Sequence, residues 1–263
     1  MIVQIIATIG PATGNKKILQ EMIKNGMSLA RLNFSWGTLE EHDFYIQLIR
    51  KVARELKKKI PIIQDLSGPR IAKNDKHSFD SGDKSILTRK DLLDLDFGVK
   101  HDVDYVAQSV VGDASDVTRL RSEMKVRNFN KPIIAKIERK RALSNLEEII
   151  KASDAIMIGR GDLGNEIPLE QIPYAQETII KRVKQAGKPV IVATELMLSM
   201  TNSPTPTRAD VSDTTWAVLQ GTDAIMLSEE SAIGTYPLEA VKMMKKIIDE
   251  AEIHSLLTKN NSL

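Results

Sequence analysis

The chain has 263 residues, 42% of them hydrophobic, enough to build one sizeable core. Its 37 Lys and Arg against 35 Asp and Glu give a net charge of +2, with no basic patch to suggest nucleic acid. It has no cysteine, so disulfides and thiol nucleophiles are excluded, and no apolar run nears the roughly 18 residues of a membrane span.

The start, Met1-Ile2-Val3-Gln4-Ile5, lacks the charged head and long apolar run of a signal peptide and reads as a first strand. A cytoplasmic setting is expected. From there, short apolar runs alternate with longer charged stretches of helical period. Val3–Ile9 precedes Lys16–Lys24, Leu29–Phe34 precedes Leu39–Lys57, and Pro61–Asp65 precedes Thr88–Asp96. Tyr105–Val110 precedes Ala114–Lys125, and Pro132–Ile137 precedes Ala142–Ala152. Ala155–Ile158, Pro189–Ala193 and Ala224–Leu227 precede Leu169–Ala186, Asp210–Gln220 and Pro237–Glu252. Asn25-Gly26, Gly187-Lys188-Pro189 and Gln220-Gly221 fall where helices should end. Strands that alternate with helices pair in parallel, because each crossover needs a helix. Five or six such units would stay open; eight predict an α/β fold closed as a single (β/α)8 TIM barrel over residues 1–263. Residues 73–86 break the pattern, with Asp, Lys, Ser and Gly predominating, and are expected to form an exposed, mobile loop.

In such barrels the chemistry sits at the C-terminal strand ends. Polar residues gather there: Arg31, Asn33 and Ser35; Asp65; Gln108 and Ser109; Lys136 and Glu138; Arg160 and Asp162; Thr194 and Glu195; Ser228, Glu229 and Glu230. Any strand end meets solvent, which accounts for one or two of these sets. It does not account for Lys136 and Glu138, which alternate around Ile137 and so point the same way. Two charges inside a barrel mouth are costly unless paired or bound to something. Glu138 and Asp162, with no His or Cys beside them, suit a hard ion such as Mg²⁺ or Mn²⁺ better than zinc. Gly159-Arg160-Gly161-Asp162-Leu163-Gly164 is either a plain strand-to-helix turn or an anion seat built from main-chain N–H groups. Arg31 offers a planar fork for a phosphate or carboxylate. None of His42, His77, His101 and His254 lies at a strand end, which argues against histidine acid–base chemistry.

These residues resemble the barrel domain of the pyruvate kinase family. The resemblance rests on Ala7-Thr8-Ile9-Gly10-Pro11-Ala12, Ala30-Arg31-Leu32-Asn33-Phe34-Ser35, Asp65-Leu66-Ser67-Gly68-Pro69, Ala135-Lys136-Ile137-Glu138, Gly159–Gly164, Val192-Ala193-Thr194, Pro204–Ala209 and Ile225-Met226-Leu227-Ser228. It implies a barrel of the phosphoenolpyruvate/pyruvate-binding type. It further implies that Arg31 holds the phosphoryl group, Lys136 neutralises the phosphoryl and enolate oxygens, and Glu138 with Asp162 ligates Mg²⁺. The backbone of Gly161 and Asp162 would seat the carboxylate. Thr194, backed by Ser228 and Glu230, would lie beside the carbon that is protonated. Asn33, Ser35 and Asp65 match a potassium site.

Departures accompany the matches. The loop 73–86 is expected in place of the family's lid domain after the third strand, and a barrel without the family's C-terminal regulatory domain is expected. Ala72 and Lys73 stand where an arginine is usual, Trp36 replaces a histidine, Glu195 a glutamine, and Ser228-Glu229-Glu230-Ser231 the usual Ser-Gly-Glu-Thr. Arg70 follows Gly68-Pro69 where potassium-dependent members carry Glu, and Leu66 replaces a Thr ligand. Arg70 is therefore expected to stand in for the monovalent cation, making K⁺ unnecessary, unless it is simply solvated. The implied function is Mg-dependent phosphoryl transfer between phosphoenolpyruvate and a nucleoside diphosphate such as ADP, weakened by loss of the lid. Two other functions stay open: lyase, decarboxylase or enolisation chemistry on a pyruvate-like 2-oxo acid, and a non-catalytic regulatory paralogue. A small-molecule substrate and a homodimer are expected, with neither nucleic acid nor membrane as partner.

Overall fold

The computed structural model describes residues 3–73, 76–79 and 86–260, with backbone alone for 70–73, 76–79, 256 and 258–260. Among the described residues there are ten strands: β1 (Gln4–Thr8), β2 (Met27–Asn33), β3 (Ile62–Leu66), β4 (Arg70–Lys73), β5 (Lys76–Phe79), β6 (Tyr105–Gln108), β7 (Ile133–Ile137), β8 (Ala155–Gly159), β9 (Val190–Ala193) and β10 (Ala224–Leu227). All but β4 and β5 close into one barrel, in the order β1-β2-β3-β6-β7-β8-β9-β10 and back to β1. Every barrel pair is parallel. The chain is thus a (β/α)8 barrel, as the strand count predicts.

Alternation along each strand divides its side chains between two cores. Ile6, Leu29, Ile63, Ala107, Ile134, Met157, Ile191 and Met226 fill the barrel interior. Their neighbours, such as Ile5, Leu32, Ile62, Val106, Ile133 and Ile225, pack outward among the helices. Those helices are α1 (Lys16–Lys24), α2 (Leu39–Glu55), α3 (Arg89–Lys100), α4 (Ala114–Val126), α5 (Lys140–Ser144), α6 (Leu146–Ala152), α7 (Arg160–Leu163), α8 (Ile172–Gln185), α9 (Arg208–Leu219), α10 (Glu229–Ala232) and α11 (Pro237–Asn260). Thr38, Thr88, Asp113 and Thr207 close capping boxes on α2, α3, α4 and α9, which fixes where each begins. No helix among the described residues is long and apolar enough to cross a membrane.

Three elements differ from expectation. The stretch 142–152 is broken at Asn145, whose side-chain amide donates to the carbonyl of Gly112 at 2.9 Å and so leaves the helical path. The stretch beginning at Leu169 opens with a 3-10 turn, Leu169–Gln171, before α8. Part of the expected loop 73–86 is a two-stranded antiparallel ribbon, in which Lys73 pairs with Lys76 and Arg70 with Phe79. The remaining loop residues, 74, 75 and 80–85, lie outside the described residues.

Candidate active site

One layer above the interior core, toward the C-terminal mouth, the inward residue of each strand register becomes polar or small. The set is Thr8, Arg31, Asp65, Ser109, Lys136, Gly159, Ala193 and Ser228, each two residues beyond its interior counterpart. Five of the eight are linked by hydrogen bonds. Arg31 places Nε and Nη2 on Oδ2 of Asp65 at 2.8 and 2.7 Å, and its Nη1 donates to Thr8 Oγ1 at 3.1 Å. Lys136 Nζ donates to Asp65 Oδ1 at 3.1 Å and to Ser109 Oγ at 2.9 Å. It also lies 2.9 Å from Glu138 Oε1.

Arg31, Asp65, Lys136 and Glu138 therefore form a chain of alternating charge, and none is more than 5% exposed. A lone buried ion costs several kcal/mol, so each member is tolerable only because its neighbour has opposite sign. The four charges cancel, and the layer can accept a polyanion together with a divalent cation while staying near neutrality.

Asp65 thus has cationic partners on both oxygens. Asn33 Oδ1 takes the Ser35 N–H at 3.1 Å, a local turn, and the side chain expected to replace the monovalent ion, that of Arg70, lies outside the described residues.

The opposite wall comes from β8, β9 and β10. Gly159 is required there: a Cβ would lie 2.6 Å from Glu138 Cγ and 2.8 Å from Glu138 Oε1. After β9, Thr194 and Glu195 have φ of +63° and +55°. Thr194 Oγ1 accepts the Gly161 N–H at 2.9 Å, so one of the two N–H groups expected to seat a carboxylate is engaged with Thr194. Arg160 does not line the cleft; it donates to the carbonyl of Thr194 from behind. Glu230 is fully buried and also lies behind the cleft wall. Its carboxylate accepts N–H groups of Ser228 at 2.8 Å and Met197 at 3.2 Å, joining the turns after β9 and β10. Burial pushes its pKa up, against the opposing pull of those N–H groups.

The cleft enclosed by these walls has a volume of about 180 Å³. Arg31, Asn33, Lys136, Glu138, Gly161, Asp162, Thr194 and Ser228 line it, whereas Ser35, Asp65 and Glu230 do not. Trp36 and Leu198 stand at its mouth, 52% and 43% exposed. Ser228 Oγ is buried with no hydrogen-bond partner among the described residues. Among the described residues no three His, Cys, Asp or Glu side chains cluster as a metal site. Glu138 and Asp162 supply two hard carboxylates on one cleft, which fits Mg²⁺ or Mn²⁺, ions that fill their remaining positions with water and ligand oxygens. The alternation that reveals Lys136 and Glu138 also turns Thr8 inward, two residues after Ile6, although its strand reads as an apolar run.

A family model described as pyruvate kinase, barrel domain, matches residues 2–86 and 83–241. A protein named pyruvate kinase from Thermococcus litoralis is 36% identical over 329 residues, covering 95% of this chain and 69% of its own length. Namesakes from Sporosarcina psychrophila and Staphylococcus haemolyticus are each 35% identical, over 93% and 95% of this chain. The chain spans little more than half of those two relatives, 56% and 57%. The aligned stretches of 327 to 332 residues exceed the 263 of this chain, so the relatives carry internal residues without a counterpart here.

Proposed function

Because the chain belongs to the pyruvate kinase family through its barrel domain, we propose that its cleft performs Mg-dependent phosphoryl transfer between phosphoenolpyruvate and a nucleoside diphosphate. The observation that carries this is the Arg31–Asp65–Lys136–Glu138 charge chain opening on one cleft with Asp162. Phosphoryl transfer depends on positioning and charge neutralisation. Arg31 holds the phosphoryl oxygens. Lys136, 2.9 Å from Glu138 and withdrawn from water, neutralises the enolate oxygen left as the bridging P–O bond breaks. A Mg²⁺ held by Glu138 and Asp162 would withdraw charge from the phosphoryl and carboxylate oxygens. The enolate then takes a proton at its methylene carbon, on the side walled by Thr194 and Ser228, giving pyruvate.

The cleft volume favours a division of this chemistry. About 180 Å³ suits a three-carbon acid but falls below the roughly 300 Å³ at which sites for drug-sized ligands begin. The two family matches meet and overlap at residues 83–86, after the third barrel strand, and we place the relatives' extra internal stretch there. Without it, ADP is held weakly and transfer is slow, while enolisation of a 2-oxo acid suffers less. The test pairs a coupled assay of phosphoenolpyruvate plus ADP with proton NMR of pyruvate in D₂O, both with Mg²⁺. Methyl exchange above the buffer rate, lost in Lys136→Met, is the expected result. Brisk transfer without exchange would reverse the division, and inactivity in both assays would sink the proposal.

A further inference from the structure

Among the described residues, six other than glycine have left-handed φ angles. Lys57, Asp102 and Asn128 each come two residues after a helix, α2, α3 and α4, where that backbone is an ordinary way to stop. Val110, Thr194 and Glu195 lie instead at strand ends around the cleft. Thr194 is β-branched, and a β-branched residue at φ +63° persists only where its surroundings hold it.

What holds it is Arg160. This side chain is 7% exposed, and its Nη2 and Nε both donate to the Thr194 carbonyl, at 2.8 and 3.2 Å. The guanidinium is itself fixed from two helices. Nη1 donates to Asp213 Oδ1 of α9 at 2.8 Å and to Gln176 Oε1 of α8 at 3.2 Å, while Nη2 lies 2.8 Å from Asp213 Oδ2. The next residue, Gly161, donates its N–H to Thr194 Oγ1 at 2.9 Å. The turn after β8 therefore grips Thr194 at its carbonyl and at its hydroxyl.

We propose that Arg160 is a positioning residue, holding the Thr194 peptide in its left-handed conformer so that Thr194 Oγ1 stays on the cleft wall where the enol carbon is protonated. This rests on the functional reading above. A planar fork is needed, because a lysine ammonium cannot serve the carbonyl, Asp213 and Gln176 at once. Without the grip, Thr194 relaxes to an ordinary φ and carries its hydroxyl away. A displacement of about 1 Å costs a reaction up to about a hundredfold. Glu138 is held from β7 and by Val110, independently of Arg160, so this metal carboxylate stays in place.

The test compares Arg160→Gln and Arg160→Lys with the wild-type chain in three measurements. These are pyruvate methyl exchange in D₂O, Mn²⁺ affinity with oxalate, and the amide signal of Gly161 in a ¹⁵N–¹H spectrum. Exchange should fall about 10- to 100-fold in Arg160→Gln and recover in part in Arg160→Lys, with Mn²⁺ affinity changed by less than about threefold. The Gly161 amide should move as its bond to Thr194 Oγ1 is lost. Wild-type exchange in Arg160→Gln would overturn the proposal. So would a parallel loss of exchange and Mn²⁺ affinity without recovery in Arg160→Lys. If the wild-type chain neither exchanges nor transfers, the functional reading fails, and the grip is judged on the Gly161 amide: a shift supports it and an unmoved signal overturns it.

Discussion

The main-chain N–H of Val110 donates to Oε2 of Glu138 at 2.8 Å, and Val110 adopts a φ of +52° in making that bond. With Oε2 fixed, Oε1 stays beside Lys136. The conformer costs a β-branched residue about 1–3 kcal/mol, which glycine avoids while keeping the N–H. Val106, in β6, is equally buried but sits in ordinary strand backbone. Each valine gives about 1.5–3 kcal/mol by burial. Val110→Gly should therefore destabilise the chain by about 1 kcal/mol less than Val106→Gly in urea unfolding. An equal or greater loss at 110 would show that no strain is stored there.

Gly159→Ala places a methyl group where Glu138 now packs, 2.6 Å from its Cγ. The carboxylate must swing, because Gly159 sits at the end of a barrel strand whose backbone is paired on both sides. Mn²⁺ binding in the presence of oxalate should weaken about tenfold or more, in keeping with what supporting groups contribute to metal sites. Glu138→Gln combined with Asp162→Asn should abolish the gain that oxalate brings. Affinity that survives both changes would remove these carboxylates from the metal site.

Potassium should be dispensable. Asp65 has Arg31 on one oxygen at 2.7 and 2.8 Å and Lys136 on the other at 3.1 Å, so its charge is already compensated. Mn²⁺–oxalate affinity and methyl exchange measured in potassium and in tetramethylammonium buffers should agree within about twofold, since a fixed guanidinium supplies what a bound cation would. A strong requirement for potassium would mean that Asp65 releases Arg31 when ligand enters.

His42 predicts a pH dependence of stability. Its ring stacks on Phe34 with centroids 4.1 Å apart, and Nε2 lies 3.0 Å from the Trp36 carbonyl. Burial lowers its pKa below the ordinary 6.5. The unfolded chain therefore binds more protons than the folded chain as pH falls below about 6.5, and stability declines through that window. His101 is shifted in the same direction and adds to the slope, so the comparison must be differential. His42→Phe keeps the stack and should show a shallower decline between pH 7 and 5 in denaturant unfolding. Identical slopes would show that His42 does not titrate with folding.

The barrel was legible in the sequence because its signal is local. Burial on both faces makes a strand read as an apolar run, amphipathic helices repeat every 3.6 residues, and eight such units fix the topology. The same rule placed Lys136 and Glu138 on the inside, since side chains two apart share a face. Elements governed by distant partners were not legible. Asn145 breaks a helix because Gly112, 33 residues away, offers a carbonyl. The family resemblance implies a cation site at Asp65, yet its partners Arg31 and Lys136 lie 34 and 71 positions away and meet it only when the barrel closes. Likewise nothing near Thr194 announces its left-handed backbone, which depends on a guanidinium anchored to two other helices. Strand period is enough to turn Arg31, Asp65, Lys136 and Ser228 inward, but it does not say that Arg160 and Glu230, beyond their strands, lie behind the cleft wall. Which charges pair is likewise set by ring closure, because Coulomb energy and hydrogen bonding depend on distances of a few ångströms that the closed barrel fixes.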